Sequence, residues 1–288
     1  MEACPVAEPL LRFHPGPPRE QPLEGTFLAH DLRRRGSPVQ PFVYSNFITS
    51  LDGRAALLDP ATGKRGIPRG VANERDWRLF MELAIQADAL LTSGRHLRAV
   101  ARGCQTELLD MQNESNADLV GWRRKRGLVG QPLVAAISPD LDIPEDLAER
   151  FPIAPILILA PASAPPERAA RLGRCGLEVV RLDTQPYIRG QDAVRLLAER
   201  GNGIIYSLAG PRILHTLLSD TQLDRLYLTT ALTALGGEGY DTLLKGPLLE
   251  PPAAFGLEEL YLDWSAPRGV GQLFQVLTAG RKAAAQAP

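Results

Sequence analysis

The chain has 288 residues, 44% hydrophobic and 23% charged, with a net charge of −1. That is a globular composition, long enough for one large core or two smaller ones, and without the basic excess of a nucleic-acid binder. Cys4, Cys104 and Cys175 are odd in number, far apart and without CxxC spacing or clustered His, so neither a disulfide framework nor a zinc site is suggested.

No apolar run approaches the roughly 18 residues of a membrane helix. The N-terminus carries Glu2, Glu8 and several prolines where a signal peptide would carry basic residues and an apolar core. The expectation is a cytoplasmic protein without membrane or nucleic-acid partners. Two basic knots, Arg33-Arg34-Arg35 and Arg123-Arg124-Lys125-Arg126, read first as solvated faces.

Residues 1–37 are rich in Pro and Gly, so an extended arm without regular elements, lying on the body or partly disordered, is expected. From there to residue 282 the pattern predicts a single domain, followed by a short disordered tail at 283–288. "FVYSNFITSL" (42–51) reads as a strand. "NERDWRLFMELAIQA" (73–87) reads as a helix, with Asn73 as N-cap and Trp77, Phe80, Met81, Ala84 and Ile85 on one stripe. Strands follow at 88–94, 132–138 and 154–160, the last a continuous apolar run suited to a strand covered on both faces. A helix at 165–176, a strand at 177–182, a helix at 190–201 and a strand at 203–210 come next. A helix at 211–220 starts with Pro at its first position, and a strand at 223–232 follows. The segments 258–267 and 271–280 read as a closing antiparallel pair. Segment 99–131 is less clear, although "NADLVGWRRKRG" suits a helix. The alternation predicts an α/β fold around a mainly parallel sheet.

Three strand exits carry polar groups. "IIYSLAGPRILHTLL" (204–218) runs a buried strand into Ala209-Gly210 and at once into a helix, whose first turn offers free N–H groups to an anion. "DALLTSGRHLR" (88–98) brings Arg95 and His96 beside a Gly turn. "VYSNFITSLDGR" (43–54) delivers Ser50 and Asp52 to a third turn. Ligands of open parallel sheets bind at such ends. "ALTALGGEGYDTLL" (231–244) places Gly236-Gly237 after another strand, as either a flexible loop or a cofactor contact. No GxGxxG, GxSxG, HExxH or P-loop lysine motif occurs, which argues against a standard Rossmann site, a serine hydrolase and a zinc protease.

The order SLDG (50–53), DALLTSGR (88–95), AGP before a helix (209–211) and LDRLYLTTALTALGG (223–237) resembles the riboflavin-biosynthesis reductase domain family. That family is the C-terminal half of the bifunctional deaminase-reductase and shares the dihydrofolate reductase fold. The resemblance covers roughly residues 40–280. It implies a three-layer, dihydrofolate reductase-like α/β fold whose mostly parallel central sheet ends in an antiparallel C-terminal edge. It implies an NADPH-dependent reductase, similar to 5-amino-6-(5-phosphoribosylamino)uracil reductase, that transfers a hydride to a pyrimidine- or pterin-like substrate.

Carried over by position, Ala209, Gly210, Pro211 and Arg212 would hold the pyrophosphate. Gly94, Arg95 and His96 would form the turn in which an Arg meets the 2′-phosphate. Ser138 and Ser163 would flank the adenosine, and Gly236 and Gly237 would touch the cofactor. Asn46, Ser50 and Asp52 would lie near the nicotinamide and substrate, with Asp52 as proton handler or orienting carboxylate and Arg75 reaching the substrate phosphate. No metal is implied.

The chain departs from the family where Asn46 replaces a Lys, Leu208 replaces the Glu before the Gly-Pro turn, and "RAVARGCQ" (98–105) replaces an Asp-Asp-Pro segment. The cofactor half of the pattern is therefore better kept than the substrate half. Two other readings stay open: a non-catalytic nucleotide- or pterin-binding protein on the same fold, and a sugar-phosphate enzyme of unrelated α/β type. A homodimer is expected, with Leu260, Leu262, Trp264 and Leu273 on its surface.

Overall fold

The computed structural model describes residues 8–58, 65–68, 70–102, 111, 116–128, 130–150, 155–184, 186–266 and 269–280. Cys4, Cys104 and the expected tail at 283–288 lie outside the described residues. The chain divides into two compact units, one from Met1–Asp31, Tyr44–Glu82 and Leu223–Pro288, the other from Leu32–Val43 and Leu83–Gln222.

In chain order the elements are β1 (Leu10–His14), β2 (Arg19–Gln21), β3 (Phe42–Ser50), β4 (Ala56–Leu58), β5 (Arg65–Gly66), α1 (Glu74–Ala84), β6 (Ala89–Ser93), α2 (Gly94–Ala101) and α3 (Ala117–Lys125). Then come β7 (Leu133–Ile137), α4 (Leu147–Arg150), β8 (Ile156–Pro161), α5 (Pro166–Arg174), β9 (Glu178–Leu182), α6 (Gly190–Glu199), β10 (Ile204–Ser207) and α7 (Pro211–Ser219). The chain closes with β11 (Arg225–Ala231), β12 (Tyr240–Asp241), β13 (Phe255–Asp263) and β14 (Gln272–Ala279).

The second unit is the parallel one. β6 pairs in parallel with β10 and β7, β7 with β8, and β8 with β9. β6, β8 and β10 are short apolar runs buried on both faces, as a parallel sheet between helices requires, while β9 at the end of the order carries exposed Glu178 and Arg181. The first unit is mostly antiparallel. β13 pairs with β14, β14 with β11, and β1 with both β13 and β2. β11 and β3 form its one parallel pair among the described residues, running from Arg225 beside Tyr44 to Ala231 beside Ser50. The α/β class, the parallel strands and the antiparallel C-terminal edge are as expected.

The N-terminal arm is different from expectation. Residues 10–21 form the β1–β2 hairpin, and β1 extends the sheet beside β13. Leu10, Leu23 and Phe27 are fully buried. The Phe27 ring meets Tyr227, Tyr261 and Phe274 edge-on, with centroids 5.9 to 6.1 Å apart. Proline content misled because the arm's apolar side chains fill the core, and this burial outweighs its weak local propensity. Glu82 fastens the arm. Its Oε1 accepts from the Gly25 N–H at 2.6 Å, and its Oε2 from the N–H groups of Phe27 and Leu28 at 3.0 and 3.2 Å. Burial pushes this carboxyl up, against those bonds and the Arg78 guanidinium.

The α1 stripe also differs. Trp77 is 41% exposed and stacks on half-buried Phe80. Met81, Ala84 and Ile85 of the expected stripe are buried, and the buried positions of α1 also include Arg75, Asp76 and Glu82, each given a polar partner, so the apolar residues mark only part of the buried face. Nor are the basic knots simply solvated. Arg33 pairs with Asp88 at 2.5 Å, and buried Arg123 donates to the carbonyls of Ile85 and Ala87. Of the expected dimer surface, Trp264 is exposed, whereas Leu262 is buried in the core.

Replacing Glu82 with Ala orphans three backbone donors in a buried setting and should cost about 3 kcal/mol of stability. A urea denaturation series should show a lowered midpoint, with Glu82→Gln falling between the two.

Candidate functional site

In the second unit, neighbouring parallel strands leave the sheet side by side. Register places Ser207 beside Leu91, Ser93 beside Ile137, and Ile137 beside Leu159. Two hydrogen bonds carry the pairing past the strands: Leu208 N–H donates to the Leu91 carbonyl and Ser138 N–H to the Leu159 carbonyl, both at 2.9 Å. Gly210, Gly94, Ser138 and Ser163 therefore stand along one rim, at the exits of β10, β6, β7 and β8, strands about 4.8 Å apart.

Gly94 opens α2 with no room for a side chain. A Cβ there would sit 2.7 Å from Ser138 Oγ and 3.0 Å from Ile143 Cδ1. Ser93 caps the helix, its Oγ accepting from the His96 N–H at 3.3 Å. Ser138 is buried and donates to Asp140 Oδ1 at 3.1 Å. Arg95, at the second position of α2, is exposed and has no partner among the described residues.

Gly210 differs in kind. Its φ of −69° is ordinary, and a Cβ would meet nothing within 4 Å. Nothing in the chain demands glycine there; its effect is to leave open space before α7. Ala209 beneath it is buried. Pro211 at the first helical position has no N–H, and the N–H groups of Ile213 and Leu214 turn back to the Gly210 carbonyl. That leaves the Arg212 N–H as the open donor of this turn, on a residue whose exposed guanidinium has no partner among the described residues. Ser163 is exposed in the turn after β8.

The first unit gathers the expected substrate residues. Side chains alternate along a strand, so Asn46, Ile48 and Ser50 of β3 share a face with their parallel partners Tyr227, Thr229 and Ala231 of β11. Beyond the strands the turn at 51–54 is laced to the loop at 233–237. Asp52 Oδ2 accepts from the Gly236 N–H at 2.7 Å, and both its oxygens from Leu235 N–H at 3.2 Å. Ser50 Oγ donates to Oδ1 at 2.5 Å, and Arg54 pairs with Oδ2 at 3.2 Å while donating to the Gly236 carbonyl. Gly236 and Gly237 hold left-handed φ values of 64° and 85°, which this tight return requires.

The Ser50 hydroxyl, the two backbone N–H groups and the Arg54 charge lower the Asp52 pKa to about 2. An acid that strong carries no proton near neutral pH. Its geometry makes it the tie between two loops, and of the two roles expected from sequence, proton handler or orienting carboxylate, the lowered pKa argues against the first. Arg75 is also corrected. It is fully buried, donates to Asp263 Oδ2 at 2.8 Å and the Glu8 carbonyl at 3.0 Å, and so does not reach a substrate phosphate.

Asp76 was missed. As an acid in the first turn of a helix it reads as an ordinary dipole complement. In the structure it is buried against the face just described, where Thr229 Oγ donates to its Oδ1 at 2.7 Å. Burial raises its pKa from 3.8 to about 6, only partly opposed by that bond. No sequence pattern announces this; the signal is burial without a cation. Among the described residues no group of His, Cys, Asp and Glu is placed to hold a metal, and no helix is long and apolar enough to cross a membrane.

Comparison with known proteins gives a family match and several solved folds. The model of the RibD C-terminal domain family matches residues 41–259. A pyrimidine reductase-like protein from Corynebacterium diphtheriae superposes with a TM-score of 0.63 at 22% identity, over 83% of this chain and 92% of that one. Acinetobacter baumannii RibD gives 0.56 at 15% identity, over 83% of this chain and 58% of that longer one. The Saccharomyces cerevisiae riboflavin biosynthesis reductase Rib7 gives 0.53 at 17% identity, over 88% and 98%. At these identities the likeness is one of fold. No curated protein matches in sequence comparison.

The raised pKa of Asp76 makes a signed prediction. Its contribution to stability is full below pH 3.8 and is lost as pH rises through about 6. Asp76→Asn should therefore stabilise the protein at pH 7.5, by about 3 kcal/mol at most, with no advantage near pH 4. Thermal melts across that range check both halves.

Proposed function

The chain belongs to the RibD C-terminal domain family, and from that premise we propose that it is an NADPH-dependent reductase of a small nitrogen heterocycle, pyrimidine- or pterin-like. One observation carries the cofactor assignment. Arg95 and Arg212 each occupy the second position of a helix that begins where adjacent parallel strands end, and both guanidinium groups are exposed and free of partners among the described residues.

NADPH presents two separated phosphate groups, the pyrophosphate and the 2′-phosphate. Planar guanidinium groups bind phosphate oxygens in pairs, and a helix N-terminus adds a donor and a positive dipole end. The residues present fit such a ligand. The space before Gly210, the Arg212 N–H and the Arg212 side chain suit the pyrophosphate. Arg95 beside Gly94 suits the 2′-phosphate, and Ser138 and Ser163 border the same rim. When bound, NADPH supplies a hydride from C4 of its dihydronicotinamide.

The chain's own work is then to bind, orient and exclude water. The Asp52 tie fixes the loop that carries Gly236 and Gly237. Ile48, Val71, Ala231 and Leu235 pack together beneath that loop and give the unit an apolar floor at the strand exits. We further propose that the protein is a homodimer, with exposed Trp264 in its interface.

The second reading is a non-catalytic nucleotide-binding protein. It is favoured by Asn46, which stands where the family carries a Lys. It predicts saturable NADPH binding with no oxidation of the cofactor by any pyrimidine or pterin acceptor.

Titration calorimetry tests the assignment. Arg95→Ala should weaken NADPH binding about 10- to 100-fold and leave NADH unchanged, whereas Arg212→Ala should weaken both, as expected for loss of a charge-assisted pair. Absence of binding by either dinucleotide to the unaltered protein would overturn the proposal.

A further inference from the structure

We propose that the outer face of α6 and the loop at 38–41 form a self-association surface, whose partner is a second copy of this chain. The inference goes beyond the reductase reading and uses none of its residues. It is also separate from the Trp264 contact, since α6 and the loop belong to the second unit and Trp264 to the first.

The surface is built around a cavity of about 330 Å³. Pro38, Val39 and Pro41 form one wall, and Val194 and Ala198 of α6 form the other. The loop joins the sheet at the start of β10, where the Phe42 N–H donates to the Gly203 carbonyl at 2.9 Å. Gly94 and Gly210 stand past the opposite ends of β6 and β10, so this cavity is no part of the cofactor rim.

The loop is firmly tied although it faces solvent. The Ser37 N–H donates to the Gln40 carbonyl at 2.9 Å, and the Gln40 N–H to the Ser37 hydroxyl at 3.2 Å. Its backbone lies so close to Gly203 that a Cβ there would sit 2.6 Å from the Ser37 carbonyl carbon. Val39 is nonetheless 95% exposed, more than any other large hydrophobic side chain among the described residues. A valine held out in water by a tied loop, beside an apolar hollow, forgoes burial that a docked partner restores.

The character of the patch selects the partner. A small-molecule site turns its polar groups inward onto an enclosed ligand. Here the polar border is Gln191 and Gln222 with Arg195 and Glu199, and the two charged side chains are exposed. The patch instead carries both members of each complementary pair: a projecting valine beside a hollow, and a cation beside an anion. That is the condition for a twofold contact, in which one patch meets itself.

Arg195 and Glu199 are four positions apart and so share one face of α6. A twofold axis level with their midpoint runs two α6 helices antiparallel. Each Arg195 then meets Glu199 of the other copy. Glu199 has no partner among the described residues, and Arg195 donates to Asp192 at 3.0 Å in an exposed pair that contributes little. Ala198 beside them keeps the approach of the helices close. The patch is small, so the contact forms and parts with concentration.

Sedimentation velocity between about 1 and 100 μM reads this association. It is run on the unaltered chain and on Trp264→Ser, which isolates the α6 contact from the other. In the Trp264→Ser protein the mass should rise toward two chains as concentration rises. Arg195→Glu and Glu199→Arg each set like charges together twice, and each should weaken the association at least about tenfold. Arg195→Glu combined with Glu199→Arg restores opposite charges and should recover it. Val39→Asn should weaken it without touching a charge. Thermal melts confirm that each variant is folded, and the charge cycle in the unaltered chain does not depend on the Trp264 variant. A single-chain mass at every concentration in folded Trp264→Ser protein would overturn the proposal. So would single charge reversals that leave the association unchanged, or a double reversal that fails to recover it.

Discussion

Parallel strands leave a sheet at the same end, and both units are built on that constraint. In the second unit it lines up the exits of β10, β6, β7 and β8, so that residues distant in sequence share one rim. In the first it sets the exit of β3 beside that of β11, and the Asp52 carboxylate then ties the two loops together. An antiparallel pairing of the same strands would send alternate exits to opposite ends and leave Gly94 and Gly210 without a common neighbourhood.

A second constraint acts on α1. Its buried face mixes Leu79, Met81, Leu83 and Ala84 with Arg75, Asp76 and Glu82, and each polar group has to find a partner or bear the cost of desolvation. Glu82 meets this by gathering the arm's backbone donors, and Arg75 by pairing with Asp263. Asp76 meets it only in part. The same helix thus supplies a fastening for the N-terminal arm and a carboxylate held above its ordinary range.

Much of the architecture was legible in the sequence because it rests on local signals. Apolar runs such as "ILILA", a Pro at the first position of α7 and the turn glycines each state their element, and β6 to β11, β13, β14, α5, α6 and α7 fall close to their expected places, whereas α2, α4 and β12 have no expected counterpart. The position of Gly94, Arg95, Gly210 and Arg212 at strand exits is equally legible, since each exit is a continuous stretch of chain, but the helix that begins at Gly94 is not part of that reading. The misreadings share a cause. Arg75 and Asp76 look like surface charges in a first turn, and only the fold shows that Asp263 and Thr229 wait for them from strands about 150 to 190 positions away. Asp52 stands out in the sequence as a turn carboxylate, but its tie to Leu235 and Gly236 is not legible there, because the backbone donors that acidify it come from a distant loop. The arm was judged by its prolines, while its place in the core is decided by Phe27 and the aromatic rings around it.

The account depends on the Arg95 and Arg212 guanidinium groups, without partners among the described residues, gripping one dinucleotide from neighbouring helix starts. A crystal structure of the protein grown with NADP⁺ tests that most directly. The account predicts pyrophosphate oxygens within hydrogen-bond distance of the Arg212 N–H and side chain, in the space before Gly210, with the 2′-phosphate against Arg95. A dinucleotide seated elsewhere, with both guanidinium groups facing solvent, would contradict it.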